Sequence, residues 1–512
     1  MESDRSCGLW ERLRVGLSLL FGLRGHDFRA ARSFMNLVYG EHFWPVKLLR
    51  MCGWALGQMF GAIPDALTSV SFAGEVSRTP IWLAEGNPLA NHPWEEEAEA
   101  RLPEEVEVVV IGAGMTGASC AYHWAKSGGA EKMVVLEMED PAWGASGRNE
   151  GLVVMGRYFA MVRDTVRPYL ERVCGDLSED QRGKLAEQFA AAYARSAYRN
   201  ADLIEQTVEA EGFACDYTRN GWIQARDEAD QPALEESIEA GEIAGFDDWT
   251  SLAPEEGWEK GGMRVEAPAG FSRGAASFHP ARWVWCLLEK ALESSEVQLF
   301  TRTRVLKVEE DGDQYVVHTE RGTVRASFVI NAIEAHTAAL HPQCGEFIHP
   351  VQTQAAFGTG GPENMKPHIG LSGKRGFFGG HEEGAMVGSD ASRISPKRAN
   401  CNNPSRFITK FLMGELYKYF GRSKLYVTHE WSGTPGFTAD EFPVVGLLDG
   451  KRQYAIGGMC GSGTGVSFNA ARHVVQQILE VDGPNDYPAE YFAPSRLLDP
   501  QNHSWPEIEE ED

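Results

Sequence analysis

The chain has no run of about 18 apolar residues, so no segment reads as a membrane-crossing helix. It is also short of basic side chains. Lys and Arg number 48 against 73 Asp and Glu, a net charge of −25 over 512 residues. That balance repels phosphate and excludes a nucleic-acid-binding body. The nine cysteines, from Cys7 to Cys460, are scattered, odd in number and without a CxxC pair. A disulfide framework and a zinc site are both disfavoured, no metal-ligand spacing is present, and a reducing, cytoplasmic setting is expected. What the chain does have is core and glycine. It is 43% hydrophobic, and 55 of its residues are Gly, which implies many tight turns and close backbone approaches. The length suggests about three domains.

Residues 1–67 differ from the rest. They carry eight Lys/Arg against six Asp/Glu, leaving −27 for residues 68–512, and they are rich in Leu, Phe, Met and Trp. Two readings stand. The segment forms amphipathic helices on a membrane surface, with Arg12, Arg14, Arg24, Arg29 and Arg32 toward anionic lipid, or it packs on the main body or on a partner protein. The short apolar run Val15 to Leu23 lacks a convincing cleavage site and is no secretory signal. Residues 91–105, with Pro93, Pro103 and a run of Glu, read as a linker.

From residue 105 the pattern changes. Val106 to Ile111 is an apolar, β-branched run, as in a parallel strand buried on both faces. It runs into Gly112-Ala113-Gly114-Met115-Thr116-Gly117. A helix is expected from about Ala118 to Lys126, ended by Gly128-Gly129, and a second apolar strand runs from Met133 to Leu136 and stops at Glu137. Each part has a job in binding a dinucleotide. Gly112 allows the sharp turn, Gly114 lets a pyrophosphate approach the backbone, and Gly117 lets helix and strand pack closely. The helix N-terminus offers free N–H groups and a positive dipole end. Glu137 accepts from ribose hydroxyls, which favours FAD or NAD over NADP.

The next stretch, Gly144-Ala145-Ser146-Gly147-Arg148-Asn149-Glu150-Gly151, resembles the D-amino-acid-oxidase-like superfamily of flavin amine oxidoreductases. The resemblance is closest to the branch of glycine oxidase, sarcosine oxidase and γ-glutamylputrescine oxidase, and it covers roughly residues 105–485. It implies that this loop crosses the pyrophosphate, with Ala145 small enough for close approach and Ser146, Arg148 and Asn149 donating to phosphate and flavin. Other matches follow in family order. Asp216 to Ile223, with the turn pair Asn220-Gly221, looks like a hairpin opening a substrate domain. Phe278-His279-Pro280 leads into a helix near Ala281–Leu292. Val297 to Val308 looks like one strand, with Val305 meeting the adenine. Phe328 to Ala332 ends in a small-residue turn under the dinucleotide. Trp431 to Gly446 is similar to the family's Asp440…Pro443…Gly446 signature. Gly461-Ser462-Gly463-Thr464-Gly465 opens a helix toward the flavin N1–C2=O edge.

The implied architecture is α/β plus α+β. A Rossmann-like FAD-binding domain of GR2 type is discontinuous over 105–160, 275–340 and 440–485. An interleaved mixed-sheet substrate domain occupies 160–275 and 340–440. A helical extension covers 1–90, and a C-terminal tail covers 486–512. A helix from about Ser178 to Glu211 has core spacing, and the acidic end Glu507 to Asp512 reads as disordered.

The implied reaction is oxidation of the C–N bond of an amino acid, an N-methyl amino acid or a polyamine-type amine, with O2 or another electron acceptor. The alternatives are a dehydrogenase of a 2-hydroxy acid or similar C–OH substrate, and a non-catalytic flavin-fold scaffold. Non-covalent FAD is implied, since the 144–151 loop has no His and the sarcosine oxidases' Cys position falls near Trp431. Met386 stands where sarcosine oxidases place a flavin-facing Lys, which leaves oxidase and dehydrogenase both open. No motif announces an acid–base residue. The catalytic candidates are Arg375 as a carboxylate clamp, His381 and Trp431. Cys460 reads as a small buried residue near the flavin edge.

Overall fold

The computed structural model describes residues 8–23, 28, 31–32, 35, 43–64, 70–154, 159–388, 392–393, 402–421, 423, 425–481 and 486–508. The expectation for 509–512 lies outside them, as do Arg24 and Arg29.

The strand Glu105–Ile111 lies inside an eight-stranded sheet, parallel to Met133–Leu136 on one side and to Gly322–Asn331 on the other. Its residues point alternately to two buried faces, which is why the run is apolar throughout. Val108 and Val110 join a large core built with the helices Met115–Lys126, Pro280–Leu292 and Gly463–Leu479. Val109 and Ile111 pack on the opposite side with Tyr315 and Val317. The strand Gly322–Asn331 serves two partners along one edge. Its first half closes an antiparallel hairpin with Gln314–Thr319, and its end runs parallel to Gln453–Gly457.

A second, eleven-stranded mixed sheet contains Trp222–Gln224, Ile348–Thr359, Gly376–His381, Gly384–Gly388 and Tyr426–Gly433. The helix Arg406–Phe420 covers it through Leu412, Met413 and Leu416, against Leu371, Phe378 and Val387. The long helix Glu179–Glu211 starts at a Ser178 capping box and stops at Gly212, whose φ of 67° only glycine adopts readily. It buries Leu185, Phe189, Ala197 and Ile204. Inside that core, Asn200 donates to Thr464 O and accepts from Phe468 and Asn469 N–H, so it pins the start of the helix Gly463–Leu479.

Four sequence expectations change. The 1–90 extension is not helical throughout, because Ser71–Ser77 forms a strand parallel to Tyr426–Gly433 and Trp82 is buried in the main core. Residues 91–94 are not a free linker. His92 O accepts from Thr301 N–H, and Trp94 Nε1 donates to Thr301 O, tying the segment to the end of the strand Val297–Phe300. Val297–Val308 is not one strand. It breaks after Phe300, passes Arg302 at φ 49°, and restarts as Val305–Asp311 in the antiparallel hairpin. Asn220-Gly221 does not close a hairpin, since Trp222–Gln224 pairs with Ala269–Ser272 and Gly370–Gly373.

The segment 486–508 is no loose tail. Arg496 and Asp440 are both 0% exposed and form a two-pronged ion pair, Nε to Oδ2 at 2.7 Å and Nη2 to Oδ1 at 3.1 Å. The remaining guanidinium protons go to the carbonyls of Phe492, Ala493 and Phe442. Every group of a buried pair must be satisfied this way for the pair to be tolerated.

Candidate active site

The turn Gly112-Ala113-Gly114 carries the chain from the strand into the helix Met115–Lys126. Gly112 sits at φ 101°, and a Cβ there would lie 2.7 Å from Ala332 O. A Cβ on Gly117 would lie 1.8 Å from Gly112 O, so this glycine sets the helix-to-strand distance. Met115 N–H donates to Ser146 Oγ at 2.8 Å. Among the described residues the N–H groups of Gly114, Thr116 and Gly117 have no protein acceptor. Open N–H groups at a helix start, with the dipole behind them, form an anion cradle. Glu137 accepts from Ala113 and Glu139 N–H, each at 2.8 Å. Burial raises its carboxyl from the ordinary value, and these backbone donors oppose the shift. Thr303 N–H donates to Glu137 O, which brings Val305, two residues on, toward the same end.

A second helix start lies on the other side of the segment 146–154. Thr464 Oγ1 donates to Leu152 O at 2.6 Å, and a Cβ on Gly465 would lie 2.4 Å from Val154 O. Among the described residues the N–H groups of Gly461, Gly463 and Thr464 have no protein acceptor. Cys460, at φ 52°, is buried with its thiol on Thr438, and burial pushes it up to about 12, so it is an unreactive packing residue.

The loop between these two helix starts is held by its own side chains. Asn149 Nδ2 donates to Ser146 O and Ala145 O, and its Oδ1 accepts from Gly151 N–H. Arg148 lies 5.2 Å over the Trp143 ring and donates to Trp143 O and Ser432 O. These two residues therefore brace the loop, where the sequence suggested donors to phosphate and flavin. Trp82 Nε1 donates to Asn149 O at 2.7 Å, and Trp431 Nε1 to Arg148 O at 3.0 Å. Trp431 is fully buried, so its part is to hold the loop rather than to face a substrate.

Of the other catalytic candidates, Arg375 is exposed at the turn between Gly370–Gly373 and Gly376–His381, which removes it as an interior clamp. His381 turns inward. Its ring lies 5.0 Å from Trp82 and 5.6 Å from Phe357, and burial pulls it down to about 4, so it is neutral at pH 7. Met386 is fully buried beside it on the adjoining strand.

Three residues were not anticipated. Trp82, from the N-terminal segment, packs edge-on to both His279 and His381. Glu334 follows the small-residue turn at φ 51° and accepts N–H bonds from Gly436 and Met459, while burial pushes its carboxyl up to about 7. Glu150 lies in the braced loop. The only local signal was a charged residue amid Gly, Asn and Ala.

A glycine turn from a buried parallel strand into a helix, closed by an acidic residue on the next strand, defines a dinucleotide-binding α/β protein. The family model for FAD-dependent oxidoreductases of the DAO type matches residues 107–477, and the chain belongs to that family. No curated protein sequence matches the chain. Its fold is similar to L-proline dehydrogenase from P. horikoshii, with a TM-score of 0.63 and 20% identity over 77% of this chain and 98% of that one. It is also similar to glycine oxidase from Geobacillus kaustophilus, with a TM-score of 0.57 and 15% identity over 78% and 99%. Iminodiacetate oxidase from Chelativorans sp. BNC1 gives a TM-score of 0.59 and 18% identity over 76% and 99%. The chain is an FAD-dependent oxidoreductase, and its residues fit that cofactor. The two helix starts with open N–H groups face one loop, and the glycines leave space that side chains would fill.

Proposed function

We propose that this protein oxidises the C–N bond of an amino acid, an N-methyl amino acid or a polyamine-type amine. The observation that carries the reading is the pair of helix N-termini facing the segment 146–154, within a fold shared with proline, glycine and iminodiacetate enzymes. FAD, when bound, supplies the acceptor for a hydride equivalent from the C–H beside nitrogen. In this reading the N–H groups of Gly114, Thr116 and Gly117 hold the pyrophosphate, with Met115 and Ser146 beside them. Glu137 takes the ribose, and Val305 and Ala332 line the adenosine side. The open N–H groups from Gly461 to Thr464, in the turn 461–465, stabilise negative charge arriving at the flavin edge. His381, Trp82 and Phe357 form an apolar, uncharged wall that excludes water and favours a neutral nitrogen.

The test is anaerobic mixing of the holoprotein with glycine, N-methylglycine, L-proline, putrescine, lactate and glycerol 3-phosphate. Bleaching of the flavin by at least one nitrogen compound is expected. Bleaching by lactate or glycerol phosphate alone would favour the C–OH reading, and no bleaching at all would favour a scaffold. Readmitting air separates an oxidase from a dehydrogenase.

The helices Leu9–Gly22 and Trp44–Gly57 support a peripheral contact with an anionic membrane surface. They pack on the turn Gln58–Ala62, where Gly16 meets Phe60, yet Trp10 and Phe21 stay 82% and 83% exposed, with Leu49 and Trp44 also outward. Arg12, Arg14, Lys47 and Arg50 lie on the same helices, where Glu11 is the one acidic residue. Apolar side chains beside Lys and Arg, on a body of opposite charge, are the composition of an interfacial helix. Among the described residues no helix is long and apolar enough to cross a bilayer. Sedimentation with phosphatidylserine vesicles, lost in Trp10→Ser/Phe21→Ser and absent with phosphatidylcholine alone, is the expected result. Concentration-dependent dimerisation without vesicle binding would assign the face to a second copy.

A further inference from the structure

The loop 139–151, between the strands Met133–Leu136 and Leu152–Val153, contains Gly144, Gly147 and Gly151 and belongs to no sheet. Fixing such a loop costs much backbone entropy. The segment 82–91 runs along it and holds it contact by contact, in reverse order. Trp82 Nε1 donates to Asn149 O at 2.7 Å, and a Cβ on Gly151 would lie 3.3 Å from the Trp82 ring. Leu83 occupies the space beside Gly147, where an added Cβ would lie 2.9 Å from Leu83 Cδ2. Asn87 Nδ2 donates to Pro141 O at 3.0 Å, and Asn91 N–H to Asp140 Oδ1 at 2.9 Å. As the segment advances from 82 to 91, its partners fall back from 151 to 140. Two neighbouring loop residues thus serve two partners. Ser146 Oγ takes the Met115 N–H of the cradle, and Gly147 takes Leu83. The segment is itself anchored. Before it, Ser71–Ser77 pairs with Tyr426–Gly433, the strand whose Trp431 holds Arg148 O. Within it, Glu85 pairs with Arg282, Oε2 to Nη2 at 2.6 Å, and Leu89 is buried in the main core. After it, His92 O accepts from Thr301 N–H. All of these contacts come from residues ahead of position 107, where the match to the family begins.

We propose that residues 82–91 are a strap that completes the cofactor site from outside the family region, with Trp82, Leu83 and Asn87 as positioning residues that set how fast FAD leaves. This rests on the FAD placement above and is independent of the substrate. The strap acts through the loop. A cofactor seated in the cradle leaves when the loop carrying Ser146 moves, and the loop moves only by breaking the row of contacts from Asn149 back to Asp140. Holding the loop in its bound shape also removes the ordering cost from cofactor binding. Loss of a strap contact therefore shows in the dissociation rate, where most affinity differences between related complexes lie.

The test uses the full-length holoprotein and follows FAD release as the rise in flavin fluorescence after strong dilution, with the thermal unfolding midpoint measured on the same samples. Leu83→Ala should speed release by about tenfold or more, because the void beside Gly147 frees the loop next to Ser146. Asn87→Ala removes the donor to Pro141 O and the acceptor of Leu89 N–H, and at this half-buried position it should speed release by about threefold. Leu83→Met refills the space and should release FAD at nearly the wild-type rate. A role in core packing alone would lower the unfolding midpoint of Leu83→Ala and leave release from folded molecules unchanged, and that result overturns the proposal. Where Leu83→Ala does not fold, Asn87→Ala decides, and release from it at the wild-type rate overturns the proposal equally. Wild-type protein that takes up no FAD overturns the cofactor placement and the strap together, whereas bound FAD with unchanged release in both variants overturns the strap alone.

Discussion

Purified Gly114→Val protein will be folded and colourless. Gly114 has φ −79° and ψ −167°, an extended geometry that valine adopts without strain. Its added Cβ would lie 2.8 Å from Ser146 Oγ, the acceptor of Met115 N–H. A branched side chain there displaces Ser146 and stands in front of the open N–H groups of Thr116 and Gly117. The strand behind the turn keeps its pairing on both sides, so the fold persists while the anion cradle is filled. Bound flavin should fall to about a tenth of wild type or less, a loss of at least ~1.4 kcal/mol, with an unchanged far-ultraviolet circular dichroism spectrum. Full flavin content in this variant would remove the cradle from the proposed site.

The second large effect lies in the buried pair Arg496–Asp440. Asp440→Ala or Arg496→Met alone should cost about 3–5 kcal/mol, because each leaves an uncompensated charge in the core. Asp440→Ala also removes one acceptor of Thr438 Oγ1, and Arg496→Met removes a donor from each of the carbonyls of Phe442 and Phe492. Asp440→Leu with Arg496→Met should recover most of that loss, since an apolar pair of similar volume avoids the desolvation cost. Urea unfolding of the two single variants and the double variant measures this. Single variants within ~1 kcal/mol of wild type would show that the segment after residue 486 is not part of the cooperative core.

These contrasts mark what could be read from the sequence. The strand Glu105–Ile111 and its glycine turn were legible because β-branched residues, glycines and Glu137 stand at spacings that only close backbone packing requires. The helix Glu179–Glu211 was legible from its apolar period, while the Ser178 capping box and the Gly212 stop emerge from the structure. Arg148 and Asn149 were visible as loop donors, but their partners are carbonyls of the loop itself and of Ser432, so they brace rather than reach outward. Trp82, Asn200 and Arg496 carried no local sign at all. Each makes its key contact with a residue at least 56 positions away, and nothing in the neighbouring sequence distinguishes them from ordinary core or surface residues. Arg375 failed as a clamp for a related reason. The two-stranded turn Gly373–Gly376 that carries it points it outward, and that depends on strand pairing rather than on residue type.

The central claim, a non-covalent FAD held between two helix starts, is tested most directly by the visible spectrum of the purified protein before and after acid precipitation. A flavin spectrum that passes entirely into the supernatant is the predicted result. Flavin retained in the pellet would mean a covalent bond to the protein, and a colourless, well-folded protein that takes up no added FAD would contradict the claim outright.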